Sequence, residues 1–352
     1  MIFRDRDVFF DKHGRIYITL GYLQPPDRVL AFLKYIPSQK GESSPQWKLQ
    51  NTYYRRIFWG TVESVKKGLK ENIPSYSIWD SFFGTELIEV PHTDIKQHFI
   101  PEQRIQEILS DPQGPLEKKV AHVAELLHSV LNISYNDLGI AGSILWRGHQ
   151  SISDVNMNIY GFENAWVLQR NYDHLVKEAP SIKLRKIEQW GKTMKRIADR
   201  NPLTLEDVQT LFMRRKEIYY KNEGIGVMPI LRPDKDRLPI KYGTEVFKTD
   251  LENIILRGEI VADDYSLFMP AIYELALSKR ERSKIPGLTS SNLRILVYDG
   301  SFRALFQKHD RVEVSGALQS VLDPDNRSIK CKQVLVGTKQ GSGQEYLRLL
   351  NN

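Results

Sequence analysis

The amino-acid sequence predicts a multidomain α+β protein. The chain has 352 residues, of which 41% are hydrophobic and 26% are charged, a composition typical of a globular protein with two or three domains. β-rich runs fill about the first hundred residues and recur beyond residue 227, whereas helical periodicity dominates between them. We therefore expect an N-terminal β-containing domain (1–112), a central domain of strands and helices (115–285) and a C-terminal β-rich module built as a small barrel (286–352).

The composition excludes several classes of protein. No run approaches the roughly 18 uninterrupted apolar residues of a membrane-spanning helix. The first residues lack the basic-then-apolar order of a secretory signal. Cys331 is the single cysteine, which excludes an internal disulfide and a multi-thiolate metal site. We expect a soluble, cytoplasmic protein.

The N-terminal region has the pattern of a hairpin followed by a third strand. Residues 7–20 contain two β-rich runs around a turn signal at 11–14, and residues 27–36 form another such run. Residues 53–59 then interleave aromatic and cationic side chains, which suits either stacking on nucleic-acid bases or burial in a core. Helix breakers at 111–115 mark the end of this predicted domain.

Helical periodicity is clearest from residue 116 to 131, where apolar residues recur at three- and four-residue steps. This spacing is typical of an amphipathic helix with one buried stripe. Thr204 is placed to cap the helix that follows it. The predicted helices cover residues 101–109, 116–131, 163–176, 182–200 and 205–221, and the last three form a basic helical insertion at about 163–222.

Strands dominate the rest of the chain. Strict alternation from residue 312 to 318 is consistent with a small antiparallel barrel, which serves either nucleic-acid binding or packing alone. The predicted strands cover residues 227–231, 254–261, 293–298, 311–321, 328–337 and 345–350, with a hairpin turn at 323–326.

The positive charge is concentrated in one stretch. The net charge is +7, and residues 181–221 hold eleven basic residues against five acidic ones. Such a run is either a solvated helix face or a surface that neutralises nucleic-acid phosphates. The candidate nucleic-acid contacts are Lys183, Arg185, Lys186, Lys192, Lys195, Arg196, Arg214, Arg215 and Lys216.

A Gly-Ser turn, formed by Gly142 and Ser143, follows a short predicted strand at 138–141. Glycine lets the backbone come close to a phosphate, and a serine hydroxyl with the N–H groups of a helix N-terminus donates to its oxygens. An ordinary tight turn is the alternative. Arg147, on the first turn of the helix that follows, is placed to reach either a phosphate or a surface acid.

A second strand brings three polar side chains to one face. Asp154, Asn156 and Asn158 alternate with apolar residues that face the core. Nucleotidyl transfer needs Mg²⁺ held by oxygen ligands, and side chains at i and i+2 can share such an ion. Asp154 and Asn156 are therefore candidate metal ligands, although an aspartate at this position also caps turns.

The Gly-Ser turn, a spacer of about ten residues and Ser153-Asp154 before alternating hydrophobic positions together resemble the signature of the DNA polymerase β-type nucleotidyltransferase superfamily. The arrangement is more closely similar to a group of predicted nucleotidyltransferases found mainly in archaea. In that group a segment like residues 21–29 here, Gly-Tyr-Leu-Gln-Pro-Pro-Asp-Arg-Val, precedes the motif, and a β-rich tail ends the chain. The resemblance covers most of the chain.

This resemblance implies a polymerase β-like core, a mixed sheet with helices, and a metal-dependent nucleotidyltransferase activity. The implied reaction is attack by a hydroxyl of an acceptor, RNA or another nucleic acid, on the α-phosphate of a nucleoside triphosphate, with release of pyrophosphate. Asp154 and Asn156 would hold Mg²⁺ or Mn²⁺. The triphosphate would be held by Gly142, Ser143 and Arg147.

One departure from the superfamily pattern lies at Asn156, where the second metal carboxylate is expected, so the pair offers one negative charge instead of two. A third acid is expected from a later strand of the same sheet. Glu259 is the best local source, ahead of Asp263 and Asp264 at the strand's end, and a surface role is its alternative. The departure also favours a different function, a nucleic-acid-binding protein with a catalytically degenerate nucleotidyltransferase fold. A partner-binding scaffold is a third alternative.

Overall fold

The computed structural model describes residues 2–43, 45–58, 65, 68, 76–151, 153–288, 290–338, 341 and 343–350. Three β-sheets and several helices confirm the α+β class. Of the helices in these ranges, none is long and apolar enough to cross a membrane. The chain divides into two compact units, the first comprising Met1–Ser77, Ile88–Arg185 and Lys216–Leu238, and the second Ile78–Leu87, Lys186–Arg215 and Pro239–Asn352.

The larger sheet of the first unit is built from the N-terminal region. Its strands are β1 Val8–Asp11, β2 Ile16–Thr19, β3 Arg28–Ser38, β4 Trp47–Leu49, β5 Thr52–Arg56, β6 Ser77–Asp80, β7 Thr85–Pro91 and β8 Ile95–Phe99. Most of β6 and the start of β7 fall within the segment Ile78–Leu87 of the second unit. They follow the order β4-β5-β3-β2-β1-β8, and β7 pairs with β3 and β6. The predicted hairpin and third strand are confirmed as β1 to β3.

A five-stranded mixed sheet completes the first unit. Its strands are β9 Leu138–Ile140, β10 Val155–Tyr160, β11 Lys183–Leu184, β12 Ile218–Tyr220 and β13 Glu223–Ile230, in the order β11-β12-β13-β10-β9. β10 runs parallel to β13 and antiparallel to β9. Four helices accompany it, α1 Pro101–Ser110, α2 Gly114–Leu131, α3 Gly142–Leu145 and α4 Phe162–Glu178.

One hydrophobic core joins the two sheets of this unit. Phe10 of β1, Val123 of α2 and Met157 of β10 belong to the same buried cluster. The apolar stripe of α2 faces this core, as its periodicity predicts. The predicted N-terminal and central domains therefore share one hydrophobic core. Their predicted limits, residues 112 and 115, stay a prediction.

Two predicted helices are wrong in part. The helices expected at 182–200 and 205–221 are the shorter α5 Gly191–Arg200 and α6 Leu205–Phe212, because residues at their flanks pair as β11 and β12. Sheet pairing with β13 satisfies the backbone of this aromatic and β-branched segment and overrides the local helical signal. The predicted cap is confirmed, since Thr204 Oγ1 accepts a hydrogen bond from Asp207 N at 3.1 Å.

The second unit is organised around a sheet that closes on itself. Its strands are β14 Val246–Tyr265, β15 Ala271–Leu277, β16 Asn292–Val297, β17 Arg311–Leu322, β18 Ile329–Val336 and β19 Tyr346–Leu349, with α7 Lys279–Arg282 after β15. The order is β14-β15-β16-β18-β17-β19, and β14 also pairs with β17. The small barrel predicted for the C-terminal region thus begins at β14, earlier than residue 286. α5 and α6 pack their apolar residues into its core.

Candidate functional site

The Gly-Ser turn and β10 meet at Asn156. Gly142 has a φ of +66°, in the left-handed region that favours glycine. Ala141 N donates a 2.8 Å hydrogen bond to Asn156 O. A Cβ added to Gly142 would lie 3.9 Å from Asn156 Nδ2. The fold therefore brings together two segments that the sequence separates, and we call Gly142, Ser143, Asp154 and Asn156 the candidate site.

A second glycine lies on the other side of Asn156. In the parallel pairing of β10 with β13, Asn156 is opposite Gly226. A Cβ added to Gly226 would lie 2.9 Å from Asn156 Oδ1 and 3.1 Å from Met228 Cε, so a larger residue would displace this amide. The sequence analysis missed Gly226. The signal that could have identified it is its position inside a β-rich run, where a glycine marks close approach of another group.

The three polar side chains that are expected on one face, Asp154 before β10 and Asn156 and Asn158 within it, differ in burial. Asp154 is exposed and Asn156 is half-buried, but Asn158 is fully buried. Asn158 Nδ2 donates to the Tyr160 hydroxyl at 3.2 Å, and Arg4 lies over the Tyr160 ring. The alternation holds, with the intervening apolar residues in the core. Packing against the C-terminal half of β10 buries the polar side chain of Asn158.

The electrostatic surroundings of Asp154 include a lysine that the sequence analysis did not identify. The charge of Asp154 acts on Lys34 and Tyr35 of β3. Burial, reinforced by Arg56 and Arg6, lowers the pKa of Lys34 to about 7, and Asp154 opposes this shift. Burial raises the pKa of Tyr35 to about 12. Lys34 is thus half-buried among cations, and the exposed Asp154 is the carboxylate whose charge acts on it.

The aromatic residues near the site belong to the core. Trp146, directly after α3, is buried, and its ring centroid lies 5.5 Å from Tyr35 and 5.6 Å from Tyr54. The core alternative for the aromatic and cationic segment 53–59 is therefore confirmed at Tyr54, while Trp59 lies outside the described residues. Of the two partners considered for Arg147, the surface acid is present, with Arg147 Nη2 2.7 Å from Glu107 Oε2.

Glu259 does not belong to the sheet of Asp154. It lies on β14, which pairs with β15 and β17 in the sheet of the second unit. Glu259 Oε1 is 3.0 Å from His309 Nδ1. The expectation that Glu259 lies on a later strand of the same sheet is wrong, because the later strand that pairs with β10 is β13. In the part of the chain that is described, no group of three His, Cys, Asp or Glu residues could hold a metal.

The basic run does not form one helical insertion. Lys183, Arg185 and Lys216 belong to the first unit, whereas residues 186–215 belong to the second. Four of the nine candidates form ion pairs, Arg185 with Glu217, Lys195 with Asp199, Arg214 with Asp310 and Lys216 with Asp173. The guanidinium of Arg215 lies 5.5 Å from the Trp190 ring centroid. The exposed candidates are Lys183, Lys186, Lys192, Lys195 and Arg196.

The comparison with known proteins finds a full-length relative of undescribed activity. An uncharacterized protein of the archaeon Methanocaldococcus jannaschii is 22% identical over 361 residues, covering 98% of each chain. No family model matches the chain, and no solved structure gives a significant match.

Proposed function

We propose that the chain binds a nucleoside triphosphate at the candidate site and acts as a metal-dependent nucleotidyltransferase. The observation that carries the proposal is the meeting of the Gly-Ser turn with Asn156, one residue beyond the start of β10 and two beyond the exposed Asp154. Gly142 has no side chain beside the Asn156 amide, and a Cβ there would meet no atom closer than 3.9 Å, which permits close approach of a phosphate.

The residues fit a divalent cation that arrives with the nucleotide. Asp154 offers one carboxylate and Asn156 one amide oxygen, and Mg²⁺ commonly takes one or two carboxylates with substrate phosphates and water. In the proposed reaction an acceptor hydroxyl attacks the α-phosphorus as the bond to pyrophosphate breaks, and the hydroxyl proton passes to water. Asp154 and Asn156 orient the triphosphate for this attack.

RNA is the proposed acceptor. The exposed side of α5 carries Lys192, Lys195 and Arg196, and such a face neutralises phosphates in a salt-dependent manner. Lys195 is paired with Asp199, and several other basic residues of the run are also paired with carboxylates, so Lys192 and Arg196 are the contacts that we expect to matter most.

A second candidate function is nucleic-acid binding without turnover. Asn156 replaces a carboxylate, and Glu259 lies in the other unit. Each of these observations reduces the negative charge available to hold catalytic cations. The chain would then retain phosphate recognition and lose transfer.

The test is incubation of the purified chain with labelled nucleoside triphosphates, Mg²⁺ or Mn²⁺ and total RNA, beside Asp154→Asn and the control Asp27→Asn. Asp27 is an exposed aspartate of the same unit. Incorporation that is lost in Asp154→Asn and kept in Asp27→Asn supports the transferase. RNA binding without incorporation under either metal supports the second candidate, and absence of both triphosphate and RNA binding rejects both.

A further inference from the structure

A β-bulge brings the Lys34 ammonium over the Tyr35 ring. The register of β2 with β3 shifts at this residue, since Tyr17 pairs with Leu33 and Ile16 with Tyr35, which leaves Lys34 without a partner opposite it. Regular alternation would point Lys34 and Tyr35 to opposite faces, yet Lys34 Nζ lies 5.7 Å from the centroid of the Tyr35 ring. A bulge re-aims a side chain in this way, and bulges are frequent beside active sites.

Buried aromatic packing holds this part of β3 beside the Gly-Ser turn. The Tyr35 ring contacts Trp146, and Trp146 follows α3 directly. The peptide N–H of Ile57 donates to Lys34 O at 2.8 Å. Lys34 therefore lies on a strand that is paired and packed on both sides, whereas Asp154 directly precedes β10.

Cations surround Lys34. Arg56 and Arg6 each disfavour its charged form, and Asp154 favours it. Arg6 lies 3.7 Å from Asp5, and Arg56 Nε donates to Phe58 O. Among the described residues, no carboxylate forms an ion pair with the Lys34 ammonium.

We propose that Lys34 binds the polyphosphate of the nucleotide at the candidate site and supplies positive charge there that a second metal ion would otherwise provide. The inference rests on the proposed function. Asn156 removes the carboxylate that a second cation would need, whereas an ammonium group needs no ligand set. A compact lysine charge on a fixed strand is well suited to a phosphate oxygen.

The charge balance of the cluster supports this role. Arg56 and Arg6 disfavour the Lys34 charge in partly buried surroundings of low dielectric. A triphosphate places negative charge between them, so that the repulsion is replaced by charge-assisted hydrogen bonds. The same group of residues is therefore unfavourable when empty and favourable when a polyphosphate is bound.

The test compares binding of inorganic tripolyphosphate and of ATP with Mg²⁺ by the full chain and three variants. We expect Lys34→Met to weaken both affinities by about tenfold to a hundredfold, the usual effect of losing a hydrogen bond to a charged group. Lys34→Arg should restore most of the affinity. The control Lys48→Met, an exposed lysine on β4 of the same sheet, should bind as the unaltered chain does. Circular dichroism checks that each variant folds.

Equal binding by Lys34→Met and the unaltered chain overturns the role of Lys34 and leaves the proposed function intact. Absence of binding by the unaltered chain to tripolyphosphate and to each of the common nucleoside triphosphates overturns both. If Lys34→Met does not fold, acylation of the unaltered chain replaces the comparison. Tripolyphosphate must then slow modification of Lys34, mapped by mass spectrometry, and leave Lys48 unaffected; unchanged labelling of Lys34 rejects the inference.

Discussion

At the C-terminal end of β10 the Tyr160 ring lies between two guanidinium groups, 4.4 Å from Arg4 and 5.3 Å from Arg232, whereas at the N-terminal end Asp154 is exposed to solvent near Lys34. Both arginines at the Tyr160 end form ion pairs with carboxylates. The Lys34 ammonium has no such pair among the described residues. The arginines at one end of β10 are thus paired with carboxylates, and the lysine near its other end has no carboxylate partner among the described residues.

Under the proposed function, the Tyr160 end of β10 maintains the fold and the Asp154 end binds phosphate. Buried charges that are paired and hydrogen-bonded become very costly when one partner is removed. Unpaired, partly buried charges are costly in the free protein and become useful when an anion arrives. We therefore expect substitutions at the Tyr160 end to change stability, and substitutions at the Asp154 end to change binding.

The largest effect is expected from Tyr160→Ala, which removes a buried ring packed between two arginines. Loss of a large buried aromatic costs about 3–5 kcal/mol of unfolding free energy, measured by urea denaturation. Tyr160→Phe keeps the ring and loses the hydroxyl that accepts from Asn158, at a cost of about 1 kcal/mol. A loss under about 1 kcal/mol for Tyr160→Ala would contradict the structural role of this end.

Lys34→Met is expected to stabilise the chain in a pH-dependent manner. The Lys34 pKa falls from 10.5 to about 7 on folding, so between these values the unfolded chain binds more protons and the free energy of unfolding rises with pH. The variant lacks this dependence. It should be more stable by about 1–3 kcal/mol at and below pH 7, after allowance for partial exposure, and the gain should vanish near pH 10.5. Denaturation at a series of pH values measures it, and a gain that persists at high pH argues against an unfavourable Lys34 charge.

Gly226→Ala is expected to act on binding. The added methyl group would lie 2.9 Å from Asn156 Oδ1 and displace the amide, and we expect tripolyphosphate to bind about fivefold more weakly for a crowding cost of roughly 1 kcal/mol. Gly191→Ala serves as the control, because a Cβ at Gly191 meets nothing within 4 Å. Similar affinities for the two variants would show that Asn156 does not contribute to the site.

The smallest effect is expected from Arg147→Ala. Arg147 and Glu107 are 58% and 51% exposed, and exposed ion pairs contribute about 0–1 kcal/mol. Unfolding free energy should change by less than about 0.5 kcal/mol, and tripolyphosphate affinity should be unchanged. A marked loss of affinity would return Arg147 to the triphosphate site that the resemblance implies for it.

Local patterns predicted the elements of the fold well. The stripe of α2 and the cap at Thr204 depend on residues within a few positions of one another, and the two runs of the N-terminal hairpin are joined by a short turn. The same reasoning failed for residues 182–221, where pairing with β13 converts the flanks of two helices into strands. Local propensity is a weak guide where a distant strand offers backbone partners.

The candidate site likewise has features that local sequence predicted and features that it did not. The sequence by itself determined the Gly-Ser turn, the alternation along β10 and the loss of one carboxylate at Asn156, because these features follow from backbone geometry and from residue identity over short spans. Only the tertiary structure decided that Gly226 lies against Asn156, that a bulge lies at Lys34, and that Glu259 belongs to another sheet. Those placements depend on strand register between residues far apart in the chain, and no local spacing records that register.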